Sequence, residues 1–173
     1  MFDPTIFENL KVAFENEVYD LDNLDQRIHI TNRIDTMEMS VLSREFAIQF
    51  ALVNLREVTA EIRLDASLKD LAAEILELPG ETPGCSLRVR FYMAIKDVSI
   101  QCKQIEDILQ GIWSSELPAT QTLSFIYSEE NTSYRNVVEL KFKRRISEDQ
   151  MEDIPNLVEH ILQSLAELNK VIT

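Results

Sequence analysis

Glycine is almost missing from this chain: Gly80, Gly84 and Gly111 are the only three in 173 residues. So few cannot build a glycine-rich phosphate loop, and no serine stands in a Gly-x-Ser-x-Gly elbow. Cysteine is limited to Cys85 and Cys102, too few and too loosely spaced for a disulfide framework or a thiolate metal site. The two histidines, His29 and His160, have no second histidine or cysteine at ligand spacing. A metal site or a histidine base is therefore not expected, and both rings are read as solvated. No cofactor is implied. Asp20-Leu21-Asp22-Asn23-Leu24-Asp25 has the carboxylates of a calcium loop without its central glycine or late glutamate, and reads as an acidic turn.

Positive charge is also scarce. Seventeen basic against thirty acidic residues leave a net charge of −13, which argues against a nucleic-acid or anionic-membrane surface. It admits a basic partner without requiring one. No apolar run approaches the roughly 18–20 residues that span a bilayer. The start, Met1-Phe2-Asp3-Pro4, lacks a basic segment followed by an apolar one, so a cytoplasmic location is expected. The match of Asn131-Thr132-Ser133 to a glycosylation acceptor carries no weight without secretion.

What is present is periodicity. Phe46, Ile48, Phe50 and Leu52 alternate with Ala47, Gln49 and Ala51, and Val58, Ala60, Ile62 and Leu64 alternate with Glu57, Thr59, Glu61 and Arg63. Successive strand side chains point to opposite faces, so the two runs, joined through Asn54-Leu55-Arg56, predict an antiparallel hairpin in the middle of a sheet. Residues 27–41 alternate through Ile28 and Ile30, then through Met37, Met39 and Val41. The change of phase predicts two strands with a turn at Thr31-Asn32-Arg33, and methionines filling core gaps. Leu87, Val89, Phe91, Met93 and Ile95 give a further strand. Leu123, Phe125 and Tyr127 pair with Val138, Leu140 and Phe142 as a second hairpin around a polar tip at 128–133.

Helical spacing marks four segments. Asp3-Pro4 signals the first start, and Ile6, Phe7, Leu10, Ala13, Phe14, Val18 and Leu21 share a face over about 4–19, interrupted by Glu17. Ser67-Leu68-Lys69-Asp70 resembles a capping box ahead of Leu68, Leu71, Ala72, Ile75 and Leu76, and Pro79-Gly80 stops that helix. Residues 98–113 carry Val98, Cys102, Ile105, Ile108, Leu109, Ile112 and Trp113, which places Cys102 in an apolar stripe as an inert thiol. A second capping pattern, Ser147 to Gln150, precedes the cleanest stripe, from Ile154 through Leu157, Val158, Ile161, Leu162, Leu165 and Leu168 to Ile172. Pro155 cannot sit deep in that helix, so it starts or kinks there.

Two sets of surface residues stand out. Lys141, Lys143, Arg144 and Arg145 form the only basic cluster. A phosphate or RNA track is the sharper interpretation, but only Phe142 interleaves, and it points to the other face. An ordinary solvated strand, or a partner for acidic helices, is preferred. Arg88, Arg90 and Tyr92 lie on the polar face of their strand, where cations and a ring can meet a partner or a second copy. The plainer alternative pairs them with Glu57 and Glu61 in the same sheet.

The pattern predicts a single α+β domain over 1–173, with a mostly antiparallel sheet of about 6–7 strands and about four packed helices, in the order α-β(4)-α-β-α-β(2)-α. The loop 79–84 is the one candidate internal boundary. The order and the acidity resemble the secretion-chaperone-like fold, which runs helix, three strands, helix, two strands, helix and occurs in acidic dimeric chaperones of bacterial secretion and related regulators. With no catalytic motif to name, the protein is expected to be a non-enzymatic protein-binding or assembly module, secretion-chaperone-like by fold analogy only, and the position of Arg88, Arg90 and Tyr92 on one strand face makes them the expected contact for a homodimer or protein partner. The alternative is a small-molecule-binding protein or enzyme with a cleft between sheet and helices.

Overall fold

In the computed structural model, which describes residues 5–115, 117–127, 130 and 133–173, the alternation around Phe46 forms two long strands inside a six-stranded antiparallel sheet. The elements run α1 (Thr5–Asn23), β1 (Ile28–Glu38), β2 (Ser43–Leu52), β3 (Thr59–Ala66), α2 (Leu68–Leu76), β4 (Ser86–Ile95), α3 (Val98–Ile112), β5 (Ala119–Ser124), β6 (Tyr134–Lys141), a 3-10 turn (Glu148–Asp153) and α4 (Ile154–Ile172). Strand order is β1-β2-β3-β4-β6-β5. The α+β class follows from this order.

The core is the meeting of one sheet face with the helices. Phe46, Ile48 and Phe50 of β2, Ile62 and Leu64 of β3, and Val89 and Phe91 of β4 are fully buried. Against them pack Phe7, Leu10, Phe14 and Val18 of α1, Ile105 and Leu109 of α3, and Val158, Ile161, Leu165 and Leu168 of α4. Each such aliphatic or aromatic side chain removed from water contributes roughly 1.5–3 kcal/mol. Glu61, Asn136, Ser164 and Asn169 are also buried. Ser164 takes the Trp113 indole N–H at 2.9 Å, and Asn136 donates to Gln121 at 2.9 Å.

Besides the second hairpin, whose β5 ends at Ser124 and leaves Phe125 and Tyr127 exposed beyond it, four expectations need correction. The first half holds three strands, not about four. Residues 28–38 form one strand with a bulge between Ile30 and Asn32. One extra residue turns every later side chain to the opposite face. Ile28 and Ile30 therefore share a face with Arg33 and Asp35, and the phase change marks the bulge, not a turn. Met39 and Val41 then fall in the β1–β2 connection and Met37 at its edge, all exposed, so they fill no core gap.

The second correction is that α1 runs through Asn23. Asp20 and Asp22 belong to its last turn, and Asp22 accepts the Ile30 backbone N–H at 2.9 Å. Third, α2 has the predicted capping box at Ser67 but ends at Leu76 through a left-handed Glu77, before Pro79. Only Leu71 and Ala73 are buried on it, and Leu68, Ile75 and Leu76 are exposed. Fourth, His160 is half-buried, with its ring 5.5 Å from that of Trp113. His29 is exposed as expected. The Asp3-Pro4 start, and Asn131 and Thr132 of the hairpin tip and acceptor site, lie outside the described residues.

β4 and β6 are neighbours in the sheet, so α3 and β5 form an excursion between them. Outside that excursion the order is helix, three strands, helix, two strands, helix.

Candidate functional site

The second face of the sheet carries the sequence-predicted residues. Register places Gln49, Glu61, Arg90, Glu139 and Thr120 in one row across β2, β3, β4, β6 and β5. The adjacent row holds Ala47, Arg63, Arg88 and Lys141. Three cations in directly opposed positions repel. Diagonal carboxylates offset this for two of them. Arg63 pairs with Glu45 and, at 3.1 Å, with Glu61, and Arg88 pairs with Asp65 at 2.7 Å. Arg90 meets Glu139 at 2.6 Å. Among the described residues, no carboxylate pairs with Lys141.

Glu61 is the centre of this face. It is 1% exposed although strands alone surround it, because the side chains that bond it also cover it. Its carboxylate accepts from Gln49 Nε2 at 2.6 Å, Arg63 Nη1 at 3.1 Å and Tyr92 OH at 3.0 Å, and Arg90 lies 3.9 Å away. Arg135 lies over the Tyr92 ring, 5.5 Å from its centroid. Arg88, Arg90 and Tyr92 thus do share one face, and every polar partner of theirs is on the sheet. Of the two carboxylates expected to pair with them, Glu61 does so; Glu57 is exposed in the connection 53–58. Asp65, diagonal to Arg88, and Glu139, directly opposite Arg90, were missed, because a cross-strand partner is visible only once the register is known.

Beyond the end of β6 the basic cluster divides. Arg145 pairs with Asp70 of α2 and donates to Gly84 O at 3.3 Å, so it serves the acidic helix as expected. The chain there is tied down by a two-bond bridge, Cys85 N to Ile146 O at 2.8 Å and Ile146 N to Cys85 O at 3.0 Å. A Cβ at Gly84 would lie 2.8 Å from Ile146 O, so the close approach needs glycine. Phe142 N donates to Leu87 O at 3.2 Å. Lys141, Lys143 and Arg144 are exposed and have no ion pair among the described residues.

Under this pinned segment lies a cleft between sheet and helix with a volume of about 250 Å³. Its walls are Leu87, Phe142, Ile146, Ile154 and Leu157, and its rim holds Arg144, Arg145, Gln150 and Asp153. Gln150 is committed to its capping box, accepting Ser147 N–H at 2.7 Å. These residues are scattered over 71 positions of sequence, from 87 to 157, and no local pattern unites them.

The remaining chemistry is sparse. Burial pushes the Cys85 thiol up to about 12, so it is protonated and unreactive, and burial also raises Cys102. Among the described residues, no three His, Cys, Asp or Glu side chains are grouped to hold a metal ion. No described helix is long and apolar enough to cross a membrane. No family model, curated protein or solved structure matches the chain.

Proposed function

We propose that the protein is a non-enzymatic binding module that associates through the open face of its sheet, with a second copy of itself as the occupant. The observation that carries this is the alternation of carboxylates and guanidiniums across β3, β4 and β6, centred on Arg88, Arg90 and Tyr92. A surface on which both signs alternate is self-complementary: a copy related by a two-fold axis can set each arginine against the other's carboxylates. The charges are already held by cross-strand bonds, so little side-chain freedom remains to be lost on association. Arginine and tyrosine also desolvate at modest cost while keeping their contacts.

Replacing Arg88 and Arg90 would test the fold as much as the interface, because Glu61 depends on the second. Ala94→Glu with Thr122→Glu is the cleaner probe. Both positions are exposed on this face and hold none of the ion pairs. Sedimentation at tens of micromolar should show a wild-type dimer that weakens at high salt, where exposed pairs are screened over about 8–10 Å. The double variant should be monomeric. A wild type that is monomeric at low salt overturns the proposal; a dimer untouched by the double variant places the interface elsewhere and does the same.

A further inference from the structure

The cleft beyond the end of β6 is independent of the open sheet face. Of the ten arginines in the chain, Arg144 alone has no ion pair, hydrogen bond or ring contact with any described residue. In a protein of net charge −13 an idle guanidinium is unusual, and this one stands on the rim of the apolar cleft. Lys143 follows the same strand end, and both border the adjoining hollow with Ser114, Leu117 and Phe142. The segment that presents them is pinned by the Cys85–Ile146 bridge, so the backbone that carries Arg144 is fixed beside the cleft before any ligand arrives.

We infer that this cleft binds a medium-chain aliphatic carboxylic acid. The alkyl chain lies against Leu87, Phe142, Ile146, Ile154 and Leu157, and the carboxylate meets Arg144. Guanidinium and carboxylate match as a forked, two-bond pair, which a lysine cannot reproduce. Among the described residues, Asp153 is the one carboxylate that lines the cleft, and it repels the head group toward the Arg144 side. An apolar cavity of about 150 Å³ takes a benzene ring, so one of this size has room for a chain of roughly eight carbons. Each methylene that enters the cleft strengthens binding about fourfold. The chemistry proposed is binding only.

Trp113 is the only tryptophan, and its ring meets Phe142 edge-on at 6.1 Å, so its fluorescence reports on the cleft wall. The full chain is titrated with hexanoate, heptanoate and octanoate, and with octanol. Octanoate should give a saturable change, with affinity falling about fourfold for each methylene removed. Octanol and the Arg144→Gln variant should each bind about tenfold more weakly. Leu157→Phe, which fills the cleft with another apolar group, should abolish the response while keeping a cooperative thermal transition. Arg144 is exposed, so its variant does not depend on refolding the core. Absence of a saturable octanoate response overturns the inference. Equal binding of octanol, or an unchanged affinity in Arg144→Gln, overturns it as well. So does an acidic peptide that outcompetes octanoate, since that assigns the rim to a protein partner. None of these outcomes bears on the sedimentation test of the sheet face.

Discussion

Glu61, buried at 1% exposure on a sheet face that no helix shields, shows how a charge is kept inside by its neighbours' side chains. Removing it would leave Arg63, Tyr92 and Gln49 without their shared acceptor, and Arg90 without the carboxylate 3.9 Å away. Glu61→Ala should therefore destabilise the fold by about 3 kcal/mol, because a buried network loses one partner of several. Arg88→Leu removes a pair in which both side chains keep a quarter or more of their exposure, and should cost less than about 1 kcal/mol. Urea unfolding of both variants decides it: equal losses would mean that Glu61 is not the keystone. The alternation of Arg88, Arg90 and Tyr92 opposite Val89 and Phe91 put these residues on one face in the sequence alone. Their cross-strand partners Asp65 and Glu139 were hidden, because pairing between residues 23 or 49 positions apart depends on a register that no local spacing encodes.

At the level of elements, α4 was legible because its stripe is long and uninterrupted, and because Ser147 and Pro155 punctuate its start. Leu162 is 4% exposed, and Leu162→Ala should cost about 2–5 kcal/mol. A loss below about half a kilocalorie in denaturant titration would show loose packing there. α1 offers a test of opposite sign. Glu17 interrupts its apolar face, and its carboxyl is held above the ordinary value by burial first and then by Asp20, Asp25 and Glu159. A carboxyl raised in the folded state destabilises it wherever the group is ionised. Glu17→Gln should therefore raise the melting temperature at pH 7, and the advantage should vanish below the unfolded value of about 4.3. A gain that persists at pH 3.5 would point to packing instead of charge. β1 was misjudged because a phase change in alternation has two physical causes, a turn or one bulged residue, and composition around Thr31 does not separate them. The stripe of α2 misled differently: helical spacing predicts an apolar face, but not that another element is there to cover it.

For the whole molecule, the Pro79 to Gly84 loop raised the question of a boundary, and the sheet bears on it. β3 pairs with β4 over seven residue partners across that loop, and β4 supplies Leu87, Val89, Phe91, Met93 and Ile95 to the core. A chain ending at Glu81 lacks β4, β6, α3 and α4, and leaves Ile62 and Leu64 uncovered on one side. It should show no sharp thermal transition, and calorimetry of that fragment is the check. The cleft is the least legible feature of the molecule, since Leu87, Phe142 and Leu157 meet only when both the sheet order and the path of α4 are in place.

The excursion of α3 and β5 between neighbouring strands also sets an order in time. β1, β2 and β3 are joined by short connections, so their pairing closes small loops, whereas β4 finds β6 only after 38 residues of intervening chain, 96–133, have been gathered in. Longer closures carry a larger entropic toll before any contact rewards them, and slow the steps that contain them. The three-strand meander should thus acquire structure first, with β6 sealing the sheet late and the cleft beside it forming last. Pulse-labelled hydrogen exchange during refolding should protect the amides of Phe46 to Phe50 before those of Val137 to Leu140. Simultaneous protection would mean that the meander has no independent early existence, and that the sheet closes in one step.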